Sequence, residues 1–595
     1  MDDNCQRRVI TFTSDSMAEF EEKARRAKSL GATHVTVSAI EKSRWQWERD
    51  LSDPYPNWGM LIAALFKVVV PEELSEWLPS DYAQRNLKLI EKRGEILKKL
   101  GLKGAFQMKE PCYLPEEVYR AHPEWRGPRC DHPRRARNYY YSPCIDRPEI
   151  LAMYSQAMEK LCGTADIDYF NILTNDSGGG ICWSSGLYPG KNGPEWCRTR
   201  PQSERVRGFL LALKEGAARA GADVWLDINS NIGIKEPEHE MDAMWPFLPD
   251  HQAVNKKTNT GRPLASEVFL NWEYTLQPVK NIARPYEFLE QYEKAYFSGL
   301  PVSIVTMDDS DFDEHYLLME RFNLSPQRGV AARAAMVHQL AADIAGDPNA
   351  SLLAEAWQKT EKGILHYLDT GLEGLVSCCV NQRWLNRPFV LFPGELAHEE
   401  KEYYRRFQFQ ANDEAHADDL LDIQNSSFIR GYSGVFIASM ALRKAIGLFS
   451  EAVALLKRVA ETMEGGPRDR MLLYADRIEL LSCFMKNARN AIRFQHIIDT
   501  ADYDRVPDIS PEWPLDAEPP LLRYEEITRA EIDNTHSIIR LIEGRETTML
   551  SIAKTHELED VFLFSPRLAS QLSTKTEIMM NRLLDGKRLF VTPNK

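Results

Sequence analysis

Seven carboxylates stand where apolar runs of this chain stop: Glu41, Glu110, Asp176, Asp227, Glu273, Asp308 and Asp309. Carboxyl groups gathered from several strand ends suit glycosidic bond cleavage. One carboxyl with a raised pKa donates a proton, and a second is nucleophile or base. Asp176 ranks first. It follows the apolar run 169–173 and Asn175, and it precedes three glycines and a loop carrying Trp183, Tyr188 and Trp196. Glycine lets backbone come close to a ligand. Aromatic rings offer flat apolar faces that suit the C–H faces of a sugar. Asp308 and Glu273 come next, and Trp272 beside Glu273 supplies an apolar wall of the kind that raises a carboxyl pKa. These three are the catalytic candidates. Trp183, Tyr188 and Trp58 read as a sugar platform. Lys42, Glu110, Asn175, Asp227, Trp272 and Asp309 read as further substrate contacts.

The elements that must position these residues alternate. Helices are expected over 17–30, 82–100, 149–161, 203–220 and 285–298. Strands are expected over 33–40, 102–108, 169–173, 223–228, 268–276 and 302–307. Such alternation implies parallel sheet. The triplet Gly178 to Gly180 lacks the G-x-G-x-x-G spacing and the helix start of a nucleotide site, which disfavours an open doubly wound sheet. Strand ends rich in charge and aromatics favour an α/β fold of the (β/α)8 TIM-barrel type, whose chemistry lies at the C-terminal mouth. The barrel is expected over 1–398, with 375–380 as a closing strand. A mainly α-helical C-terminal domain is expected over 399–595, offering a surface for a homodimer, with a short extended tail. The stretch 115–144 is too polar and proline-rich for an element. Its basic run 126–137 suits either an anionic substrate group or pairing with the chain's own carboxylates.

Composition narrows the partners. The 595 residues are 43% hydrophobic and carry a net charge of −14, which disfavours nucleic acid. No apolar run reaches the roughly 20 residues that span a bilayer. The N-terminus lacks a signal peptide's apolar region, so a cytoplasmic location is expected. The ten cysteines are then expected to be reduced. Cys112, Cys130, His132 and Cys144 lack the tight pair usual for structural zinc, so no metal and no cofactor are expected.

With its GATHVTVS segment, HPEWRGPRCDHPRR and the TNDSGGGICW…LYPGKNGP loop, the chain resembles bacterial barrel glycoside hydrolases of the α-glucuronidase and β-N-acetylhexosaminidase type over roughly residues 20–330. The resemblance implies a glycosidase, and the expected substrate is a small glycoside, acidic or neutral. The adjacent Asp-Glu pair of such hexosaminidases is replaced here by Asn175-Asp176-Ser177, so the fold and the general reaction transfer and the substrate does not. Two other readings compete. One is a metal-dependent sugar isomerase, epimerase or lyase with Glu110, Asp227, Glu273 and Asp308 as ligands. The other is a non-catalytic carbohydrate-binding protein.

Overall fold

The structure is a computed structural model that describes residues 5–14, 16–38, 63–130, 140–173, 182–183, 193–228, 252–254, 264–268, 270, 279–307, 312–368, 384–407, 432–500, 520–553, 555–556, 559 and 564–590. The chain divides into two compact units. One comprises Met1–Phe269, Glu290–Asp308 and Met319–Pro326, and the other Leu270–Leu289, Asp309–Leu318 and Gln327–Lys595.

The first unit is built on strands and covering helices. Its strands are β1 (Arg7–Thr11), β2 (His34–Thr36), β3 (Lys103–Lys109), β4 (Arg126–Arg129), β5 (Tyr141–Pro143), β6 (Ile167–Leu173), β7 (Trp225–Ile228), β8 (Gln252–Val254), β9 (Ala265–Val268) and β10 (Val302–Thr306). Helices Met17–Ser29, Ser80–Leu100, Pro148–Thr164 and Gln202–Arg219 connect successive strands. Local sequence sets their ends. The Ser16 hydroxyl accepts from the Glu19 amide at the start of the first helix, which buries Phe20, Ala24 and Ala27. Gly101, at φ +68°, stops the second.

Eight strands form one sheet in the order β8-β7-β6-β3-β2-β1-β10-β9, and every pairing is parallel. The order runs one way along the chain and sets β1 between β2 and β10. A doubly wound sheet reverses direction instead. The β8–β9 pairing that closes a ring is not among the described residues. The structure thus gives a parallel, curled part-barrel, and the closed eight-stranded barrel is not shown.

The sheet has two more strands than the six expected. The missed ones are β1, which opens with two arginines, and β8, which has three residues. The stretch expected to lack any element holds the antiparallel β4–β5 hairpin. Of the strand expected over 268–276, Val268 is described as the last residue of β9, and residue 269 lies outside the described residues. The rest of that expected strand, 271–276, and the expected closing strand 375–380 lie outside the described residues.

The second unit is helical. Its long members are Val330–Ala345, Asp347–Leu368, Tyr432–Glu461, Gly465–Thr500, Pro520–Ile542 and Leu568–Arg582. Helices 330–368 therefore group with the C-terminal ones. The tail, expected to be extended, is helical at Asp585–Phe590. One polar network is sealed inside. Lys575 and Glu531 form an ion pair with neither side chain exposed, and the Asn487 and Asn490 amides donate to the same carboxylate at 2.7 and 2.9 Å. No described helix is long and apolar enough to cross a membrane.

Candidate active site

One face of the parallel sheet packs as a single apolar cluster: Val9, Ala105, Tyr169, Trp225, Ala265, Val302 and Ile304. Side chains alternate along a strand, so residue i+2 shares a face with residue i. Two positions further toward the C-terminal ends stand Thr11, Gln107, Asn171, Asp227, Glu267 and Thr306. Six strands thus carry an apolar residue and then a polar one on the same face. Thr11, Asn171 and Asp227 are buried, and the other three are partly so. Thr36 on β2 joins them, its hydroxyl 2.6 Å from that of Thr11. Buried polar groups gathered at one place are costly unless they are paired or used.

Two carboxylates belong to this set. The Tyr169 hydroxyl donates to Asp227 at 2.8 Å. Burial, the Asp227 charge and then that of Glu267 push the Tyr169 phenol well above its ordinary pKa, so it stays a proton donor. Glu267 stands five sheet intervals from β6, about 24 Å if the sheet were flat. Its charge acts on Tyr169 because the sheet curls.

The opposite end is plugged. Asp168 on β6 accepts from Arg7 Nε of β1 at 3.2 Å and from Lys103 Nζ of β3 at 2.9 Å, and it lies 2.7 Å from His34 Nε2 of β2. The Arg7 guanidinium also covers the Trp225 ring on β7 at 3.8 Å. All of these lie at strand starts. Although burial acts to raise it, hydrogen bonds from His34 and Lys103 and the charge of Arg7 hold the Asp168 carboxyl well below its ordinary range. The polar set sits at the other, C-terminal ends of the strands.

Three of the site residues expected from sequence are described. Asp227 is in the polar set. Glu110 follows β3 and is buried, with its oxygens taken by the Leu65 amide (2.6 Å), the Cys112 amide (2.8 Å) and the Tyr154 hydroxyl (2.8 Å). Burial pushes its pKa up to about 7 against those three donors. Trp183 packs on a cluster of Cys144, Cys182 and Cys197, and its Nε1 donates to the Pro194 carbonyl at 3.0 Å. Lys42, Trp58, Asn175, Asp176, Tyr188, Trp272, Glu273, Asp308 and Asp309 lie outside the described residues. In the basic run, Arg126 pairs with Glu116 and covers Tyr141, so this arginine serves the chain's own carboxylate.

Sequence reasoning missed Thr11, Gln107, Asn171, Glu267 and Thr306. The signal was available for Glu267. In Ala-Ser-Glu-Val it stands two residues after a core alanine, but the expected strand began at 268, three residues after β9 does. Among the described residues, Cys144, Cys182 and Cys197 form the one group of three or more metal-type ligands that comes together.

No known protein family and no curated protein matches this chain. Solved structures do. A GH138 enzyme targeting pectin rhamnogalacturonan II is similar over 98% of this chain and 84% of its own, with 9% identity and a TM-score of 0.55. A GH36 α-galactosidase from Geobacillus stearothermophilus is similar over 54% of this chain and 41% of its own, with 11% identity and a TM-score of 0.30. A GH27 β-L-arabinopyranosidase from the same organism is similar over 54% and 75%, with 8% identity and a TM-score of 0.30. The GH138 likeness shows a shared fold with a glycoside hydrolase. The other two scores are too low to carry any argument.

Proposed function

We propose that this chain is a glycoside hydrolase acting on an acidic, pectin-type oligosaccharide at the C-terminal ends of its parallel strands. The observation that carries the reading is the polar set Thr11, Gln107, Asn171, Asp227, Glu267 and Thr306 above one apolar cluster. It puts hydrogen-bonding groups and two carboxylates where a curled parallel sheet keeps its chemistry. The fold shared with a GH138 enzyme supports the reaction class. The choice of an acidic, pectin-type sugar rests on the pectin target named for that GH138 enzyme.

Asp176 is the general acid in this reading, and Asp308 or Glu273 is its partner. Asp227, oriented by Tyr169, and Glu267 bind the sugar. Tyr188 and Trp58 form its platform, while the Trp183 ring is taken by the cysteine cluster and Arg198. The connection from Val254 to Ala265 fits a closed barrel, because eleven residue steps reach at most about 40 Å. Crossing a flat eight-stranded sheet and returning to the start of β9 would use nearly all of that reach. The metal-dependent alternative loses a ligand, since both oxygens of Glu110 are engaged by protein donors.

The test is reducing-sugar release from a panel of uronic-acid glycosides and pectin fragments. Wild type releases sugar, and Asp176→Asn falls about 10²–10⁴-fold, the usual worth of a general acid. Full activity in Asp176→Asn removes that assignment.

A further inference from the structure

Three cysteines far apart in sequence meet in the first unit. Cys144 follows β5, Cys182 lies beyond β6, and Cys197 ends the turn Glu195–Cys197. All three are buried, at 0–1% exposure. Their sulfur atoms lie within 4.8 Å of one another, and Cys144 Sγ and Cys182 Sγ are 3.8 Å apart. A disulfide needs about 2.05 Å, so no pair of this trio is bonded. A tetrahedral zinc with Zn–S bonds of about 2.3 Å holds its sulfurs about 3.8 Å apart.

The surroundings fit a metal. The Cys182 carbonyl accepts from Arg205, itself 3% exposed. Three thiolates and a divalent ion leave one net negative charge, and the buried guanidinium beside them offsets it. The Trp183 ring covers the cluster. A Cβ on Gly193 would stand 2.9 Å from that of Cys182, so glycine there lets the two backbone segments close around the sulfurs.

We propose that Cys144, Cys182 and Cys197 bind one soft divalent cation of the zinc class, with a water or an added donor in the fourth position. Thiolate sulfur selects such ions over magnesium or calcium. Binding releases the thiol protons, so affinity falls as pH falls. The ion ties the β4–β5 hairpin segment to the segment that follows β6. The site stands independently of the proposed hydrolase activity.

The experiment uses the full chain purified under reducing conditions without chelator. Elemental analysis should find one zinc per chain. Cobalt(II) added to zinc-stripped protein should give the intense thiolate-to-cobalt charge-transfer absorption. Cys182→Ser should lose both signals, while Cys162→Ser, altered outside the trio, should keep both. Wild-type protein with reduced thiols that holds no zinc and gives no cobalt spectrum overturns the proposal. A Cys144–Cys182 disulfide found by mass spectrometry in protein purified without reductant and lacking zinc also overturns it. If Cys182→Ser fails to fold, the wild-type cobalt titration decides alone.

Discussion

The plug at the strand starts gives a sharp test of the curled sheet. In sheet order Arg7 and Asp168 are three intervals apart, about 14 Å if the sheet were flat. The structure brings them to 3.2 Å, with side chains 12% and 11% exposed. Removing one partner of a buried pair costs about 3–5 kcal/mol, much of it from the charge left behind. Lys103 is 48% exposed and re-enters water easily, so its share is small. For Asp168→Asn we expect about 3 kcal/mol. A double-mutant cycle with Arg7→Met isolates the pair, and for contacting charges a coupling of about 1.5–3 kcal/mol is expected. The assay is hydrogen exchange on peptides covering 7–11 and 167–173. The sign with pH follows from the depressed Asp168 pKa. The stabilisation is present above the unfolded value of about 3.9 and is lost as pH falls through the folded one. A coupling below about 0.5 kcal/mol at pH 7 is what independent sites give, and it would refute the cross-sheet contact.

Three further outcomes follow from single sites. Glu110 has a raised pKa, so its contribution is complete below the unfolded value near 4.5 and is lost as pH rises through about 7. The stability of wild type relative to Glu110→Gln should therefore decline across that window by up to about 3 kcal/mol, read by urea melts at pH 4.5 and 7.5; a flat difference contradicts the burial argument. Gly216→Ala should destabilise the packing of helices 148–164 and 202–219 by about 1–3 kcal/mol, because its Cβ would stand 2.0 Å from the Ser155 carbonyl oxygen; unchanged protease resistance of this helix pair would contradict it. Glu531→Ala should cost about 3–5 kcal/mol by stranding buried Lys575, whereas Glu531→Leu with Lys575→Met should recover most of it; equal melting of the single and the double variant would show that the pair is not sealed.

The main architecture was legible in sequence because helix periodicity and helix-ending glycines are local signals. Helix 17–29 announces itself with Ser16 and the spacing of Phe20, Ala24 and Ala27. Strands β1 and β8 were not legible. Arg-Arg-Val-Ile-Thr opens with two charges, and their sense appears only when Arg7 meets Asp168 and Trp225. Gln252–Val254 is a strand through its neighbour β7 and not through its own composition. Asp227 was legible as a strand-end carboxylate. Its partner Tyr169 was seen as part of an apolar run, and the hydroxyl contact needs the β6–β7 register. The cysteine trio left no local trace, since its members come from three separate segments. Trp183 was noticed as an aromatic platform, and its contact with those sulfurs is a tertiary fact.

The central claim is that the C-terminal polar set is a sugar-cleaving site. Its most direct test is reducing-sugar release from pectin-derived acidic oligosaccharides by wild type, Asp176→Asn and Glu267→Gln, with folding checked by circular dichroism. The account predicts turnover by wild type, a loss of about 10²–10⁴-fold in Asp176→Asn and a weakened KM in Glu267→Gln. Folded wild-type protein that releases no sugar from any member of the panel, or variants that both match wild type, would contradict it.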